Sequence, residues 1–342
     1  MFESKVPSNS KLRLRLVLVA LILTIAGVLG RFLWITQMPS SSYAGALPQL
    51  TPEELEIRNQ LQEEVHYLSV NIGDRGLIRP HSLQDASNYL SNLLREQGYA
   101  VVDHPFMADG QRVNNLEASL PGTDGTLGQV IVGAHYDSVA GTVGANDNCT
   151  GVAAVLQIAK LMRQTKLRRT LRFVLFANEE PPYFQTAQMG SLVYAHELKS
   201  NGVPVSAMIS LETIGFYSDQ SGSQKYPPGL NLFYPSKGDF IAIVGNSESR
   251  ALVRESVRDF RKNTRFPSEG IAAPSNWPGI GWSDQWSFWQ EGYPGVMVTD
   301  TALFRYPYYH SPNDTEDKVN FDKTARVVEG IRKLVEMLAN KP

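Results

Sequence analysis

The run Leu-Arg-Phe-Val-Leu-Phe-Ala at residues 171–177 leads through one asparagine into two adjacent acids, Glu179 and Glu180. Such a run reads as a buried strand, and a buried strand that ends in charge narrows the choice of fold sharply. Open α/β sheets gather their ligands in the crevice beyond the carboxyl ends of their strands. The pattern recurs along the chain. Residues 130–134 deliver His135, Tyr136 and Asp137, residues 207–211 deliver Glu212, and residues 294–298 lead through a loop to His310. Asp147 lies in a Gly-Ala-Asn-Asp-Asn loop just before an amphipathic helix. Strands alternating with helical segments predict a three-layer α/β fold, a mixed and mostly parallel sheet flanked by helices. On such a sheet His135, Asp147, Glu180, Glu212 and His310 converge on one rim.

These donors are imidazole and carboxylate without thiolate, a set that fits zinc and tolerates cobalt or manganese. Two dications about 3.5–4 Å apart repel and need an anion between them, a place suited to a loop aspartate such as Asp147. Asp147, Glu180, Glu212 and one hydroxide balance the charge of two dications. A neutral cluster of that kind is a hydrolytic centre. Glu179 is left as a non-ligand carboxylate, able to take a proton from water and pass it to a leaving amine.

Five strings occur in order: His-Tyr-Asp-Ser at 135–138, Gly-Ala-Asn-Asp-Asn-Cys-Thr-Gly-Val-Ala-Ala-Val-Leu at 144–156, Phe-Ala-Asn-Glu-Glu at 176–180, Ser-Leu-Glu-Thr-Ile-Gly-Phe at 210–216 and Tyr-Tyr-His-Ser-Pro-Asn-Asp-Thr at 308–315. Together they resemble the M28 family of co-catalytic dizinc peptidases, which includes aminopeptidases and carboxypeptidases. The resemblance runs from about Leu83 to Leu338. It implies a zinc exopeptidase-like fold and two zinc ions per chain, His135 and Glu212 on one, Glu180 and His310 on the other, Asp147 bridging. Glu179 would be the general base, and Asp137 would orient His135 through its other ring nitrogen. The implied activity is hydrolysis of a terminal peptide bond in a peptide substrate, as an aminopeptidase. Three departures stand out. Glu212 occupies a position that is often aspartate, Gln285 follows Asp284 where many relatives carry histidine, and residues 181–189 form an insertion expected to overhang the site. The glutaminyl cyclases resemble the same family, use one zinc and form a lactam, so that activity is the alternative reading. A non-catalytic ectodomain on the same fold is a third, against which stands the full set of donors.

The remaining histidines, His66, His81, His104 and His196, are expected to be helix-face or loop residues without acidic partners at strand ends. Cys149 reads as a small packing residue, although a thiol at a helix start can have a lowered pKa. Asn148 and Asn313 begin glycosylation patterns beside proposed ligands and read as chance matches. Trp277, Trp282, Trp286 and Trp289 cluster in one segment, either as a core plug or as the wall of a side-chain pocket. Core is the expectation for Trp286 and Trp289. Tyr309 could donate a hydrogen bond to a developing oxyanion.

The chain has 342 residues and a net charge of −2, with no basic stretch suited to nucleic acid. Residues 1–15 form a basic cytoplasmic N-terminus, 16–35 a transmembrane signal anchor, 36–50 a linker and 51–342 the catalytic domain. Positive residues before the apolar run keep the N-terminus inside and send the rest across, so a single-pass membrane protein with an extracytoplasmic domain is expected. Ala44-Gly45-Ala46 resembles a cleavage site but lies well past the apolar core. Within the domain, Thr51-Pro52-Glu53-Glu54 predicts a capped helix to about Leu68. A second helix is expected from Ser82 to Gly98, strands near 99–105 and 115–120, and a last helix near 321–340.

Overall fold

The computed structural model describes residues 10–341 and comprises two compact units, one ending at Gln37 and one beginning at Met38. The first is helix α1 (Ser10–Thr36). Its 24-residue stretch Arg13–Thr36 is long and apolar enough to cross a membrane; at about 1.5 Å per residue it exceeds the roughly 30 Å hydrocarbon core. The helix continues through Arg31. The basic segment at 1–9, Lys5 included, lies outside the described residues.

In the second unit the expected linker has no regular structure between Met38 and Leu50, yet it is not a free spacer. Arg261 donates from Nη1 to the carbonyls of Pro39 and Ser40, and Ser268 N donates to Ser42 Oγ. Helix α2 (Pro52–His66) has the predicted capping box, with Thr51 and Glu54 bonding each other's backbone reciprocally. It runs on into a π-helical turn, Tyr67–Ile72, closed by Gly73 at φ +82°. Helix α3 (Pro80–Glu96) starts before the expected Ser82, because Pro80 is already preorganised for a first helical turn. Strands β1 (Val101–Ala108) and β2 (Gln111–Leu120) are longer than expected and form a hairpin. Its turn, Asp109-Gly110, has positive φ at both residues, the conformation that favours an Asp-Gly pair.

The strands that carry the candidate donors follow: β3 (Gln129–His135), β4 (Leu171–Phe176) and β5 (Val205–Glu212), with helices α4 (Gly151–Met162) and α5 (Gly190–Ser200) between them. Strand β6 (Ile241–Asn246), helix α6 (Arg250–Asn263) and strand β7 (Ser268–Ala273) add a unit that the sequence patterns above leave unassigned. Helix α7 (Gln285–Gln290), strand β8 (Gly295–Thr299) and helix α8 (Phe321–Ala339) complete the domain.

All eight strands form one sheet in the order β1-β2-β4-β3-β5-β8-β6-β7. Strands β4, β3, β5 and β8 are adjacent and mutually parallel, so their carboxyl ends share one edge. The hairpin and the β6–β8 pairing are antiparallel, which makes the sheet mixed. Along β3, Val130, Val132 and Ala134 join the core cluster that includes residues of α2, α4 and α8, while Ile131 joins Tyr194 and Phe288 of α5 and α7. A strand covered on both faces can be apolar throughout and still end in charge. The three-layer α/β expectation holds.

Candidate metal centre

His135 is the last residue of β3 and Glu212 the last of β5. Glu179 and Glu180 follow β4, and Asp147 reaches in from the loop before α4. The structure brings all five predicted donors together. His135 Nε2 lies 3.4 Å from Asp147 Oδ1 and 3.2 Å from Glu212 Oε2. His310 Nε2 lies 3.1 Å from Asp147 Oδ2 and 3.3 Å from Glu180 Oε2. The two oxygens of Asp147 thus face two different histidines, each accompanied by its own glutamate. Three triads have the size of a metal site, His135-Asp147-Glu212, Asp147-Glu180-His310 and His135-Glu179-Glu180, and the first two share Asp147.

These contacts do not satisfy the groups that make them. Both ring nitrogens of His135, Asp147 Oδ2 and Glu180 Oε1 are buried without a hydrogen-bond partner. Buried polar groups are rarely left so, and a hard or borderline dication accepts lone pairs from imidazole and carboxylate together. The donor set therefore fits zinc. Burial raises the Glu180 carboxyl to about 8, and the Asp147 charge adds to this against the opposing hydrogen bond of His310. Burial also pushes Glu179 well up, with Glu180, Glu212 and Asp284 adding to it and His135 opposing.

Glu179 Oε2 is 3.9 Å from His135 Nε2, inside the cluster but farther out than the five donors. Asp137 Oδ1 is 3.5 Å from His135 Nδ1, longer than a hydrogen bond. Its firm bonds go elsewhere: the backbone N–H groups of Glu179 and Glu180 donate to its two oxygens, each at 3.1 Å. Asp137 thereby ties the end of β3 to the two glutamates after β4. The Tyr309 ring stacks on His310 with centroids 3.8 Å apart. Burial and the surrounding acids hold its hydroxyl far above its ordinary range, so it stays a donor.

Several supporting residues escaped the sequence reading. Asp314 accepts from the backbone N–H of Asn146 at 2.8 Å, from that of Asp147 at 3.0 Å and from Tyr306 O–H at 2.7 Å. Ser283 donates to Glu212 Oε2 at 2.7 Å. Asp314 sits inside the string around His310, which was the available signal. Gln285 donates to the Ile280 carbonyl. The 181–189 insertion is pinned at two points, Tyr183 O–H donating to Asp109 and Gln185 Nε2 to the Gly281 carbonyl.

Three of the other histidines have acidic partners, none of them at a strand end, and His104 lies on strand β1, a correction to its expected helix or loop placement. His66 meets Glu316, His104 meets Glu117 and Glu197, and His196 meets Glu291. Apart from Glu117, which meets His104 across the β1–β2 hairpin, the partners are distant in sequence, and none of these pairs joins the centre. Cys149 is buried, and burial pushes its thiol up to about 11, which fits packing and not reactivity. Asn148 is buried, donates to the Leu211 carbonyl and accepts from Gly151 N and Thr213 N, leaving no place for a glycan. Trp286 and Trp289 are half-buried and the fully buried ring of the segment is Phe288. Trp282 instead lines a cavity of about 100 Å³ that Glu212 and Tyr309 also border. Its other walls include Leu230, Phe240, Ile280, Met297 and Phe304.

Residues 115–335 match the model of Peptidase family M28. The "Uncharacterized protein YfbL" of Escherichia coli strain K12 is 34% identical over 307 residues, covering 87% of this chain and 90% of that protein. Among solved structures, BSAP, a zinc aminopeptidase from Bacillus subtilis, superposes with a TM-score of 0.68 at 14% identity, covering 86% of this chain and 97% of that one. The Fimbriiglobus ruber glutaminyl cyclase gives a TM-score of 0.60 at 20% identity, covering 86% and 99%. Likenesses at such identities establish the fold alone.

Proposed function

The chain belongs to peptidase family M28, and on that premise we propose that it is a dizinc aminopeptidase that removes large apolar residues from peptide amino termini. The observation that carries this reading is the division of Asp147, whose Oδ1 faces His135 while its Oδ2 faces His310. His135 and Glu212 would hold one zinc, Glu180 and His310 the other, with Asp147 between. When bound, the pair would supply Lewis acidity toward the scissile carbonyl and lower the pKa of water. Glu179 takes the proton of the attacking water on its carboxylate and returns it to the leaving amine. Tyr309 donates to the oxygen on which negative charge develops. Asp137 keeps Glu179 and Glu180 in place through their backbone N–H groups.

Among the described residues, the ionisable side chains within ion-pair distance of the donors are acids and histidines, with no Lys or Arg. That surrounding suits the ammonium of a free amino terminus better than a free carboxylate. The apolar cavity beside Glu212 and Tyr309 would take the first side chain; an engineered cavity of about 150 Å³ holds benzene. Glu269, an acid on its wall, lies 3.3 Å from Arg261, so its charge is neutralised and a basic side chain gains little there. The insertion at 181–189 narrows access to terminal residues. Helix α1 would anchor the chain with the catalytic domain on the extracytoplasmic side.

Glutaminyl cyclase activity is the second reading, favoured by the fold likeness to a glutaminyl cyclase. Zinc per chain, measured with release of leucine or phenylalanine from free and N-blocked dipeptides and with lactam formation from an N-terminal glutamine, separates the two. One zinc with lactam as the product would replace the proposal. For the anchor, full-length chain in the membrane fraction after carbonate extraction is expected; a soluble form beginning at Leu47 would exclude it.

A further inference from the structure

Arg75 lies before residues 115–335 that match the family model, in the turn after the π-helical segment, and is 1% exposed. Its guanidinium is spent on backbone carbonyls. Nε donates to Tyr136 O at 2.9 Å, Nη1 to Leu68 O at 3.1 Å and to Gly73 O and Val143 O at 2.7 Å, and Nη2 to Gly144 O at 3.3 Å. Ser138 closes the arrangement, accepting from Arg75 N on its hydroxyl and donating its own N–H to Arg75 O. One planar side chain therefore joins three segments: the residue after His135, the residues leading to Asp147, and the π-helical turn that ends α2. Gly144 makes room for it. A Cβ there would lie 3.1 Å from Arg75 Nη2 and 2.2 Å from Asp147 O, and its φ is +56°.

We infer that Arg75 is a positioning residue for the metal centre, holding the His135 and Asp147 loops at the separation that lets one aspartate face both histidines. The inference rests on the dizinc reading above. A buried arginine bonded to carbonyls of two ligand-bearing loops offers a rigid fork with five in-plane donors, which lysine's three-donor ammonium cannot reproduce. Groups hydrogen-bonded to metal ligands commonly control affinity by about 10–100-fold. Arg75 bonds instead to Tyr136 and Gly144, chain neighbours of two ligands, so Arg75→Gln should weaken zinc binding toward the lower end of that range, about 10-fold, with Arg75→Lys in between.

The test is titration of zinc into full-length wild type, R75K and R75Q, read as zinc retained against a graded chelator, alongside the rise in Tm on zinc addition. A merely structural role lowers Tm equally with and without zinc and leaves retention unchanged, an outcome that overturns the inference. The positioning role shrinks the zinc-dependent rise in Tm and the retention together. Hydrogen exchange on the wild type needs no variant: zinc should slow residues 68–75 together with 136–147, and protection confined to 136–147 would overturn the inference even if the variants fail to fold. Wild type that binds no zinc would instead overturn the dizinc reading itself.

Discussion

Two clusters of buried charge differ in how much of their bonding capacity is spent. Glu117 on β2 is 5% exposed, about as buried as Glu180 at 4%. Its Oε2 accepts from Tyr194 O–H at 2.6 Å and from Arg172 Nη1 at 2.7 Å, its Oε1 accepts from Ser119 at 2.6 Å, and His104 Nε2 stands 3.2 Å away. Burial alone would raise its pKa. The His104 imidazole at 3.2 Å, the hydrogen bonds from Ser119 and Tyr194, and the charge of Arg172 hold it down at about 2. At the rim the same desolvation prevails, Glu180 is raised to about 8, and its Oε1 has no partner. Burial plus charge therefore does not mark a functional site. Burial plus charge with unspent lone pairs on several donors gathered within metal-binding reach does.

The largest expected effect belongs to the acid that the centre does not need for binding. Glu179→Gln should leave both zinc ions in place while kcat falls by about two to four orders of magnitude, the usual range for a positioned acid–base group. Loss of metal in step with loss of rate would show that Glu179 and Glu180 have exchanged roles. Asp147→Asn comes next. It removes the charge shared by the two triads that contain it, so at least one zinc should leave on dialysis, read by elemental analysis. Full loading with full activity would rule out the bridge.

Glu117→Gln sharpens the comparison from the other side. Removing one partner of a buried pair typically costs about 3–5 kcal/mol, and because Arg172 is partly exposed, about 3 kcal/mol is expected by denaturant unfolding, with zinc content and kcat unchanged. The sign with pH follows from the depressed pKa. Glu117 contributes stability above its ordinary value of 4.5 and loses it as pH falls toward about 2. The acid limb of the wild-type stability curve should be shallower in the variant. A folded variant that drops zinc would dissolve the distinction between the clusters.

The sequence was most legible at the rim. Strands β3, β4 and β5 are mostly apolar runs, broken inside only by Arg172, Ser206 and Ser210, so the ionisable residues at or just past their ends, His135, Glu179, Glu180 and Glu212, announce themselves. Asp147 and His310 lie in loops, where only the surrounding strings gave them away. What stayed hidden was whatever works through backbone. Arg75 bonds to five carbonyls, and carbonyls carry no sequence. The ion pairs of His66 with Glu316, His104 with Glu197 and His196 with Glu291 bring together residues far apart in the chain. The Asp109-Gly110 turn was readable and passed over. The insertion at 181–189 was visible as extra length, but its two anchor points depend on the hairpin tip and the Gly281 segment meeting it in space.

Glu64 offers the most discriminating test, because it combines features of both clusters. It lies on α2, accepts from Gln157 Nε2 at 2.7 Å on Oε1, and has no partner for Oε2. Burial raises its pKa from 4.5 to about 8, against the opposing hydrogen bond of Gln157 and the charge of Lys160. No histidine or second acid joins it in a metal-sized group among the described residues. A carboxyl whose folded pKa is raised keeps its proton better folded than unfolded, so its contribution is fully present below 4.5 and is lost as pH climbs toward about 8. Wild-type stability should carry that decline, and Glu64→Gln should remove it while leaving zinc retention untouched. Urea midpoints measured from pH 5 to 9 on both chains read the difference directly. Parallel curves would mean that water reaches Oε2, in which case an unpartnered oxygen alone is too weak a sign of a site and the orphaned atoms of the rim must be judged as a group.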